Sequence, residues 1–289
     1  MTQRNAIIMA AGTSSRFVPL SVERPKGLVE VKGEILIERQ IRQLKEAGIT
    51  DITLVVGYKA EMFAYLRDKY AVDIVYNEDF ARYNNTSSLI RVIEKLDNTF
   101  ICSSDNYFPE NVFTRESVDS YYSALYAEGK TNEYCLITDA EDQITDVKVG
   151  GHDSWYMVGH VFFNHEFSEK FRKLMIKEYC NETTKQGYWE DLYIRYIDQL
   201  PKMKINRYKE GDIQEFDSLD ELRMFDESYK NDTRSSIVKQ ICKQLEVEEA
   251  CVHAFRNIKH KGNYLQFQFK VYDDVYEYNA ENGIEIKKI

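Results

Sequence analysis

The sequence has few of the features that mark extracellular, zinc-binding and membrane-spanning proteins. Its five cysteines form no CxxC pair and are odd in number, which predicts free, mostly buried thiols rather than a disulfide framework or a zinc site. No apolar run approaches the roughly 18 residues that a bilayer crossing needs, so we expect no membrane insertion. No basic-then-apolar signal segment opens the chain, so we expect a cytoplasmic protein.

Clusters of positive charge are also missing. The chain has 38 Lys and Arg against 48 Asp and Glu, a net charge of −10. Binding to a phosphate backbone relies on clustered Lys and Arg, so we expect no nucleic-acid partner. With 43% hydrophobic and 30% charged residues over 289 positions, the chain can bury a large core. Any strongly positive site in this acidic chain must therefore be local.

The first stretch that carries chemistry is an apolar strand that breaks into a loop of small residues. Residues 10–19 read A-A-G-T-S-S-R-F-V-P, and P-K follows at 25–26. Such a break predicts a buried strand entering a tight loop whose backbone N–H groups can cradle phosphate oxygens. Arg16 and Lys26 bracket the loop, and a triphosphate with about four negative charges would justify both cations.

This stretch resembles the signature of nucleotidyltransferases that activate sugar phosphates and related phosphates, A-A-G-x-G-[TS]-R-[FLM]-x-P followed by P-K. The sequence departs from it at Ser14, where the family has a second glycine, so we expect a stiffer loop. The resemblance implies that Arg16 and Lys26 are the catalytic cations. It also implies nucleotide contacts from the loop residues Ala10, Ala11, Gly12, Thr13 and Ser14.

Strand and helix patterns alternate after the loop. Residues 35–48 and 61–70 have helical periodicity, whereas 52–57 and 73–76 are short apolar strands. This rhythm implies parallel pairing with right-handed crossovers. We therefore predict an α/β fold with a doubly wound, mixed but mainly parallel sheet, of the Rossmann-like nucleotidyltransferase type. Ligands of such sheets bind at the carboxyl ends of the strands, where the Gly12 loop falls.

A polar run, Y-N-N-T-S-S-L at residues 83–89, precedes the apolar positions of a helix. Helix capping is the plain explanation, since Asn and Ser are good caps. The run is also similar to Y-N-N-x-x-S-L of the bacterial CTP:phosphocholine cytidylyltransferases. That resemblance implies that Asn84 and Ser88 read the base and ribose of CTP, because one Asn amide complements the edge of cytosine. The choice of CTP over UTP depends on the resemblance.

Two aspartates are candidates for metal binding. Asp105 ends a predicted strand at residues 100–107, where a carboxylate is costly to bury without a partner. The resemblance implies that Asp105 and Asp217 hold Mg²⁺, which takes oxygen ligands and keeps several waters. It also implies a nucleotide contact from Ser104. The plain alternatives are an Asx turn at Asp105 and a helix cap at Asp217.

The middle of the chain would bind the second substrate. Residues 131–137 and 144–149 predict a hairpin that extends the sheet, 160–163 another strand and 167–179 a helix. By resemblance, Tyr134 stands where the family has a tryptophan in the wall of a choline pocket, so it keeps a weaker π face.

A second wall is implied by the segment at residues 187–196, which contains the family's D-L-Y. A trimethylammonium group donates no conventional hydrogen bond, so it requires aromatic faces and a nearby carboxylate. The alternative is that these residues only form a packed helix face. The candidate contacts in this segment are Trp189, Glu190, Asp191 and Tyr193.

The resemblance stops at about residue 233. Residues 236–245 predict a short amphipathic helix, and 264–272 with 275–278 predict a hairpin. This part faintly resembles the opening of a choline-kinase-like lobe, but the rest of a kinase is absent, so we expect no phosphotransfer from it. We predict a nucleotidyltransferase domain at 1–230 and a small α+β appendage at 231–289 with one of two roles: it packs against the rest of the chain, or it dimerises and gives a homodimer.

The leading hypothesis is that CTP and phosphocholine react to give CDP-choline and pyrophosphate, with Mg²⁺ as cofactor. One alternative is the same chemistry on 2-aminoethylphosphonate, phosphoethanolamine or a sugar 1-phosphate. A different class of function is a non-catalytic nucleotide-binding module whose C-terminal hairpin binds a partner. The presence of Arg16, Lys26, Asp105 and Asp217 together favours an enzyme over such a sensor.

Overall fold

The computed structural model describes residues 3–114, 118–258, 265–281 and 283–289. Contacts divide the chain into two compact units. Unit 1 contains Met1–Gly12 and Leu36–Glu215, and unit 2 contains Thr13–Ile35 and Phe216–Ile289. This division by contacts differs from the predicted domain boundary at 230/231. The predicted boundary separates parts of the chain by function, and it stays a prediction. Among the described helices, none combines the length and apolarity that a membrane crossing requires.

Helices and strands alternate along most of the chain. The α-helices are α1 (Leu20–Glu23), α2 (Leu36–Glu46), α3 (Tyr65–Tyr70), α4 (Thr86–Ile90), α5 (His165–Glu178), α6 (Glu182–Gln186), α7 (Trp189–Arg195), α8 (Leu219–Phe225) and α9 (Ser236–Leu245). The strands are β1 (Asn5–Ala10), β2 (Glu30–Val31), β3 (Glu34–Ile35), β4 (Asp51–Val56), β5 (Asp73–Tyr76), β6 (Thr99–Ser103), β7 (Asn106–Tyr107), β8 (Tyr121–Thr138), β9 (Ile144–Phe163), β10 (Lys204–Arg207), β11 (Gln214–Glu215), β12 (Val252–Asn257), β13 (Gln266–Val271), β14 (Asp274–Asn279) and β15 (Glu285–Lys288).

Unit 1 is organised around a seven-stranded sheet in the order β10-β8-β9-β6-β1-β4-β5. Strand β1 pairs in parallel with both β4 and β6, and β4 pairs in parallel with β5. Strand β9 pairs antiparallel with β6 and β8, and β10 pairs in parallel with β8. The predicted mixed, mainly parallel sheet is confirmed, and β1, β4 and β6 all end at one edge.

The helix predicted over 35–48 forms as α2 because its apolar positions share one face. Ile37, Ile41 and Leu44 are fully buried, and the chain leaves the helix through Gly48 at φ +80°. That left-handed conformation is the one that glycine adopts at little cost. Helix α5 begins after Asn164, whose side chain accepts a hydrogen bond from the N–H of Phe167 at 3.0 Å.

Strands β8 and β9 are much longer than predicted. They run for 18 and 20 residues, so the predicted hairpin at 131–149 and the strand at 160–163 belong to one paired structure. The C-terminal end of β9 is buried in the core of unit 1. Phe163 packs there against Phe167 of α5 and Trp189 of α7, with ring centroids 4.4 and 5.5 Å apart.

Unit 2 contains a four-stranded antiparallel sheet in the order β12-β13-β14-β15, together with α9. The predicted helix at 236–245 and hairpin β13–β14 are both present, although position 264 of the predicted hairpin lies outside the described residues. Strands β12 and β15 were not predicted. They are short, with mostly half-buried or exposed positions, so they have no clear apolar alternation.

Candidate active site

The first part of the phosphate-loop segment belongs to unit 1, at the carboxyl end of β1. The carbonyl of Ala11 accepts a hydrogen bond from the N–H of Tyr58 at 3.1 Å. Gly57 must be a glycine, because an added Cβ would lie 2.6 Å from Cβ of Phe80 and 2.9 Å from the Ala11 carbonyl. A Cβ at Gly12 would meet no atom within 4 Å. The buried Ala10 and Ala11 therefore lead to an open glycine.

The rest of the signature lies in unit 2, where one carboxylate connects its two cations. Oδ2 of Asp217 is 2.7 Å from Nη1 of Arg16, and Oδ1 is 3.4 Å from Nζ of Lys26. The two cations differ in exposure, since the side chain of Arg16 is 78% exposed and that of Lys26 only 6%. A buried ammonium is costly without a partner, so Asp217 stabilises Lys26 more than it does Arg16.

Ser14, which stands where the family signature has a glycine, has a backbone conformation that favours glycine. It lies in the left-handed region at φ 49° and ψ 44°, and its carbonyl accepts a hydrogen bond from the N–H of Phe17 at 2.9 Å. Glycine adopts this conformation freely, whereas an L-residue pays about 1–2 kcal/mol. The structure therefore accommodates Ser14 in the backbone geometry that a glycine would prefer, and Thr13 beside it is exposed.

Asp217 lies just before helix α8, and the start of that helix holds its backbone. The Ser218 hydroxyl caps α8 by accepting a hydrogen bond from the N–H of Glu221 at 3.2 Å. Glu221 in turn accepts a hydrogen bond from the N–H of Asp217 at 2.7 Å. Reciprocal bonds of this kind fix the entry into a helix, so the Asp217 carboxylate is carried on a well-held turn.

Asp105 lies in unit 1, in the turn between β6 and β7. Gln40 of α2 is fully buried, and its Nε2 donates to the carbonyls of Ser103 and Asn106, both at 2.8 Å. The N–H of Ser104 donates to the Met9 carbonyl of β1 at 3.2 Å. The half-buried Asp105 is therefore presented by a turn that is anchored on both sides.

Arg39 and Gln43 of α2 hold the chain just after this turn. Nε of Arg39 and Nε2 of Gln43 each donate to the Phe108 carbonyl at 2.9 Å. Together with Gln40, these side chains form a row of polar groups on α2. The helix itself was predicted from its apolar face. The sequence signal for this role is the pair of Gln residues three positions apart beside the buried Ile41 and Leu44.

The residues present fit a divalent cation in their chemistry. Asp105 and Asp217 supply carboxylate oxygens, the ligands that Mg²⁺ prefers, and Mg²⁺ is commonly held by one or two carboxylates plus phosphates and water. Among the described residues, no group of three or more His, Cys, Asp or Glu side chains is placed to hold a metal. That finding is compatible with a metal that relies on the nucleotide for further ligands. Nucleotidyltransferases generally use a divalent metal.

The polar run before α4 is tied to the segment around α7, within unit 1. The N–H of Asn84 donates to the Lys185 carbonyl at 3.2 Å, and the Thr86 hydroxyl donates to the Gly187 carbonyl at 2.7 Å. Ser88 is buried, and its Oγ accepts from Nδ2 of Asn77 at 2.9 Å. Asn84 is half-buried, whereas Ser88 is a member of a buried polar network.

Asn85 and Tyr122 were not predicted, yet they surround Glu190. Oδ1 of Asn85 accepts from the N–H of Trp189 at 2.8 Å, and Nδ2 of Asn85 donates to Oε2 of Glu190 at 3.2 Å. The Tyr122 hydroxyl donates to Oε1 of Glu190 at 3.1 Å. Burial raises the pKa of Glu190 to about 7, although the bonds from Asn85 and Tyr122 oppose the shift.

A second carboxylate on α7 is paired with an aromatic side chain. The Tyr134 hydroxyl donates to Oδ1 of Asp191 at 2.9 Å, and the N–H of Tyr188 donates to Oδ2 at 2.8 Å. The rings of Tyr134 and Tyr188 meet edge to face, with centroids 6.5 Å apart. Burial and the bond to Asp191 both raise the pKa of Tyr134. Tyr134, Tyr188 and Asp191 thus form one partly exposed group.

Trp189 and Tyr193 lie in the core of unit 1. Trp189 is 3% exposed and stacks on Tyr122 with ring centroids 5.9 Å apart. Tyr193 is 1% exposed, and its hydroxyl has no hydrogen-bond partner in the part of the chain that the structure describes. Trp189 also packs against Phe163 and Phe171, and Tyr193 packs against Phe167, as the plain alternative of a packed helix face anticipates. Direct contact of either one with a substrate stays a prediction.

The fold and the signature segment define a nucleotidyltransferase. A model of the MobA-like NTP transferase domain matches residues 6–139. The choline-phosphate cytidylyltransferase of Streptococcus pneumoniae is 35% identical over 227 residues, which are 78% of this chain and 99% of the relative. This chain belongs to the nucleotidyltransferase family that contains the bacterial choline-phosphate cytidylyltransferases.

Other relatives carry related names. The 2-aminoethylphosphonate cytidylyltransferase of Lancefieldella rimae is 34% identical over 229 residues, 78% of this chain and 93% of the relative. The solved structure of the CTP:phosphocholine cytidylyltransferase from Streptococcus pneumoniae has a TM-score of 0.75 at 35% identity, and covers 79% of this chain and 100% of that one. An inositol-1-phosphate CTP transferase from T. maritima shares the fold alone, with a TM-score of 0.60 at 16% identity.

Proposed function

We propose that the protein is a CTP:phosphocholine cytidylyltransferase that forms CDP-choline and pyrophosphate. The observation that carries the choice of a cationic acceptor is the environment of Glu190. Its hydrogen-bond partners, Asn85 and Tyr122, are neutral, and burial raises its pKa to about 7. Within the described ranges, no cation pairs with it. Glu190 is half-buried, and a desolvated carboxylate without a counter-charge is stabilised by a bound cation, such as the ammonium head of phosphocholine.

The aromatic side chains nearby support the same choice. The half-exposed Tyr188 and the partly exposed Tyr134 offer π faces beside Asp191. A trimethylammonium group gains about 0.5–2 kcal/mol over such a ring. We therefore assign Tyr134, Asp191 and Glu190 to the acceptor's head group, and Trp189 and Tyr193 to the packing beneath it.

In the proposed reaction, a phosphate oxygen of phosphocholine attacks the α-phosphorus of CTP. A new P–O bond forms as the bond from the α-phosphorus to the bridging oxygen breaks, and that oxygen leaves with pyrophosphate. The second pKa of a phosphate monoester is about 6, so the nucleophile is already ionised and needs no strong base. The protein contributes positioning and charge stabilisation.

The residues of the signature segment would bind the nucleotide. Lys26 and Arg16 neutralise its phosphates, while the backbone N–H groups around Gly12 bind phosphate oxygens. Asn84 and Ser104 are assigned to the nucleotide from their places beside α4 and after β6. A bound Mg²⁺ would be held by Asp105 and Asp217 and would supply charge neutralisation at the phosphates.

A second candidate acceptor is 2-aminoethylphosphonate. It is favoured by the Tyr134 hydroxyl, which is bonded to Asp191, because a family tryptophan at this position would present a larger π face. A primary ammonium can donate hydrogen bonds to Asp191 and Glu190, and it gains less from aromatic rings than a trimethylammonium does. The relative that is named for this acceptor is nearly as similar as the one named for choline phosphate.

Pyrophosphate release tests the proposal. Wild-type protein with CTP and Mg²⁺ is supplied in parallel with phosphocholine, phosphoethanolamine, 2-aminoethylphosphonate and glucose 1-phosphate. We expect the largest kcat/KM with phosphocholine. A larger value with 2-aminoethylphosphonate would replace the acceptor, and a larger value with glucose 1-phosphate, which has no cationic group, would remove the role of Glu190. Nucleotide binding without pyrophosphate release from any acceptor would support a sensor instead.

A further inference from the structure

The part of the chain after about residue 226 is bound to the segment that carries Lys26, within unit 2. Asp226 is buried, and its Oδ2 accepts a hydrogen bond from the N–H of Lys32 at 2.7 Å. The buried Tyr229 donates its hydroxyl to the Glu30 carbonyl at 2.7 Å. Residues 30–32 are therefore held by side chains from beyond the signature.

Arg234 adds a second contact at the same place. Its guanidinium lies 4.4 Å from the ring centroid of Tyr229. Nη1 of Arg234 is 3.4 Å from both the Glu30 carbonyl and Oε1 of Glu30, and Nη2 donates to the Ser228 hydroxyl at 3.0 Å. Stacking and hydrogen bonding together suit arginine better than lysine.

The other side of the Lys26 segment is held by helix α9. Glu23, the last residue of α1, accepts hydrogen bonds on Oε1 from the N–H of Ser236, at 2.7 Å, and from the Ser236 hydroxyl. Ser236 is the first residue of α9, and its neighbour Ser235 caps the helix. A carboxylate at a helix N-terminus binds unpaired N–H groups and is favoured by the helix dipole.

Lys26 lies between these two attachments, three residues after Glu23 and four before Glu30. Strand β12 also lies beside the turn Ser15–Phe17, which carries Arg16. The contacts thus lie on both sides of Lys26 along the chain, and β12 lies next to the turn that carries Arg16.

We propose that Tyr229, Arg234 and Ser236 are positioning residues that fix the backbone on both sides of Lys26 and so hold its ammonium in place for the nucleotide. The inference rests on the proposed function of Lys26. It gives Tyr229 and the first residues of the predicted appendage, Arg234 and Ser236, a role in catalysis that requires no contact with a substrate. An ammonium carried on a loose segment would reach the phosphates less often in the productive geometry.

A double-mutant cycle separates this role from a merely structural one. We expect Arg234→Ala to lower kcat/KM for CTP by about 10- to 100-fold, as small displacements of catalytic groups do. In a Lys26→Ala background the same change is expected to cost less than about twofold, because residues that act as a unit are non-additive. Equal losses in both backgrounds, or no loss in the otherwise wild-type protein, would overturn the proposal. Lys230→Ala is the matched control. It removes an exposed cation from the same segment, and that cation pairs with Glu227 at 2.8 Å.

A second measurement does not depend on activity. Tyr229→Phe removes one hydroxyl and keeps the buried ring, and amide hydrogen exchange of residues 20–32 is followed by mass spectrometry. We expect faster exchange than in the wild type there and unchanged exchange in β13–β14. Unchanged exchange at 20–32 in the folded variant would contradict the proposal. If Lys26→Ala keeps full activity, the proposed function of Lys26 fails, and the exchange result still reports on the attachment.

Discussion

The carboxylates of two regions, Asp217 in unit 2 and Glu190 in unit 1, differ in the charge of their partners. Asp217 is already paired with two cations, Arg16 and Lys26. Glu190 has only neutral partners within the described part of the chain, and its pKa is raised to about 7. The first region therefore carries excess positive charge for an anion, and the second has a carboxylate that lacks a positive partner. The proposed function uses this difference, with the triphosphate at the first region and the cationic acceptor at the second.

The largest expected effect comes from the buried cation of the first region. Lys26→Ala should lower kcat by on the order of 100- to 1000-fold, by analogy with the loss of one preorganised donor at a developing charge. The measurement is steady-state pyrophosphate release with CTP and phosphocholine. Lys170→Ala, which removes an exposed lysine paired with Glu166 on α5, is the control and should be neutral. Near-wild-type turnover of Lys26→Ala would break the assignment of the first region.

The next largest effect concerns the stability of the second region. Because burial raises the pKa of Glu190 from 4.5 to about 7, the folded state gives up stability as the pH rises from about 4.5 through 7. Glu190→Gln mimics the protonated carboxyl and removes this loss. We expect it to raise the free energy of unfolding by about 2 kcal/mol at pH 8 and to leave it nearly unchanged at pH 5. Denaturant unfolding at both pH values measures the difference.

The matched control for this pH effect is Glu182→Gln. Glu182 is exposed, and its pKa is lowered by the hydrogen bond from Lys185, so its replacement should not stabilise the protein at pH 8. A Glu190→Gln variant that is less stable than wild type at pH 8 would show that Glu190 has a charged partner. In that case the contrast between the two regions would disappear.

The smallest expected effect is on the affinity for the acceptor. Tyr134→Ala removes a π face and should raise KM for phosphocholine by about 3- to 30-fold, the equivalent of a cation–π contact. KM for CTP should not change. Tyr134→Phe keeps the ring and removes only the bond to Asp191, so a comparison of the two variants separates the ring from the hydroxyl. If both variants bind phosphocholine as the wild type does, Tyr134 is not part of the acceptor site.

Much of the fold could be predicted from local patterns. The α2 helix and the parallel strands β4 and β5 follow from short apolar runs, and α9 from its amphipathic spacing. The five cysteines are free and mostly buried, as their number and spacing predict. The length of β8 and β9 could not be predicted, because the run 126–134 has no buried position and its residues, Y-A-E-G-K-T-N-E-Y, present no apolar face.

The residues of the candidate site also fall into two groups, those that the sequence could identify and those that it could not. The signature cations could be found because they lie in one short segment with a characteristic spacing. The partners of Glu190 could not, since Tyr122 and Asn85 lie 68 and 105 residues away from it and come from β8 and the start of α4. The sequence does not separate burial of Trp189 and Tyr193 from contact with a substrate, because α7 places aromatic and acidic residues side by side without a clear apolar face.

The central claim is that the cations of unit 2 bind the triphosphate while the carboxylates of α7 bind the acceptor. A crystal structure with a non-reactive CTP analogue, Mg²⁺ and phosphocholine tests it most directly. We predict phosphate oxygens within hydrogen-bond distance of Lys26 and Arg16, Mg²⁺ bound to Asp105 and Asp217, and the trimethylammonium group beside Tyr134 and Glu190. A triphosphate bound away from Lys26, with Asp217 still paired to Arg16, would contradict the account.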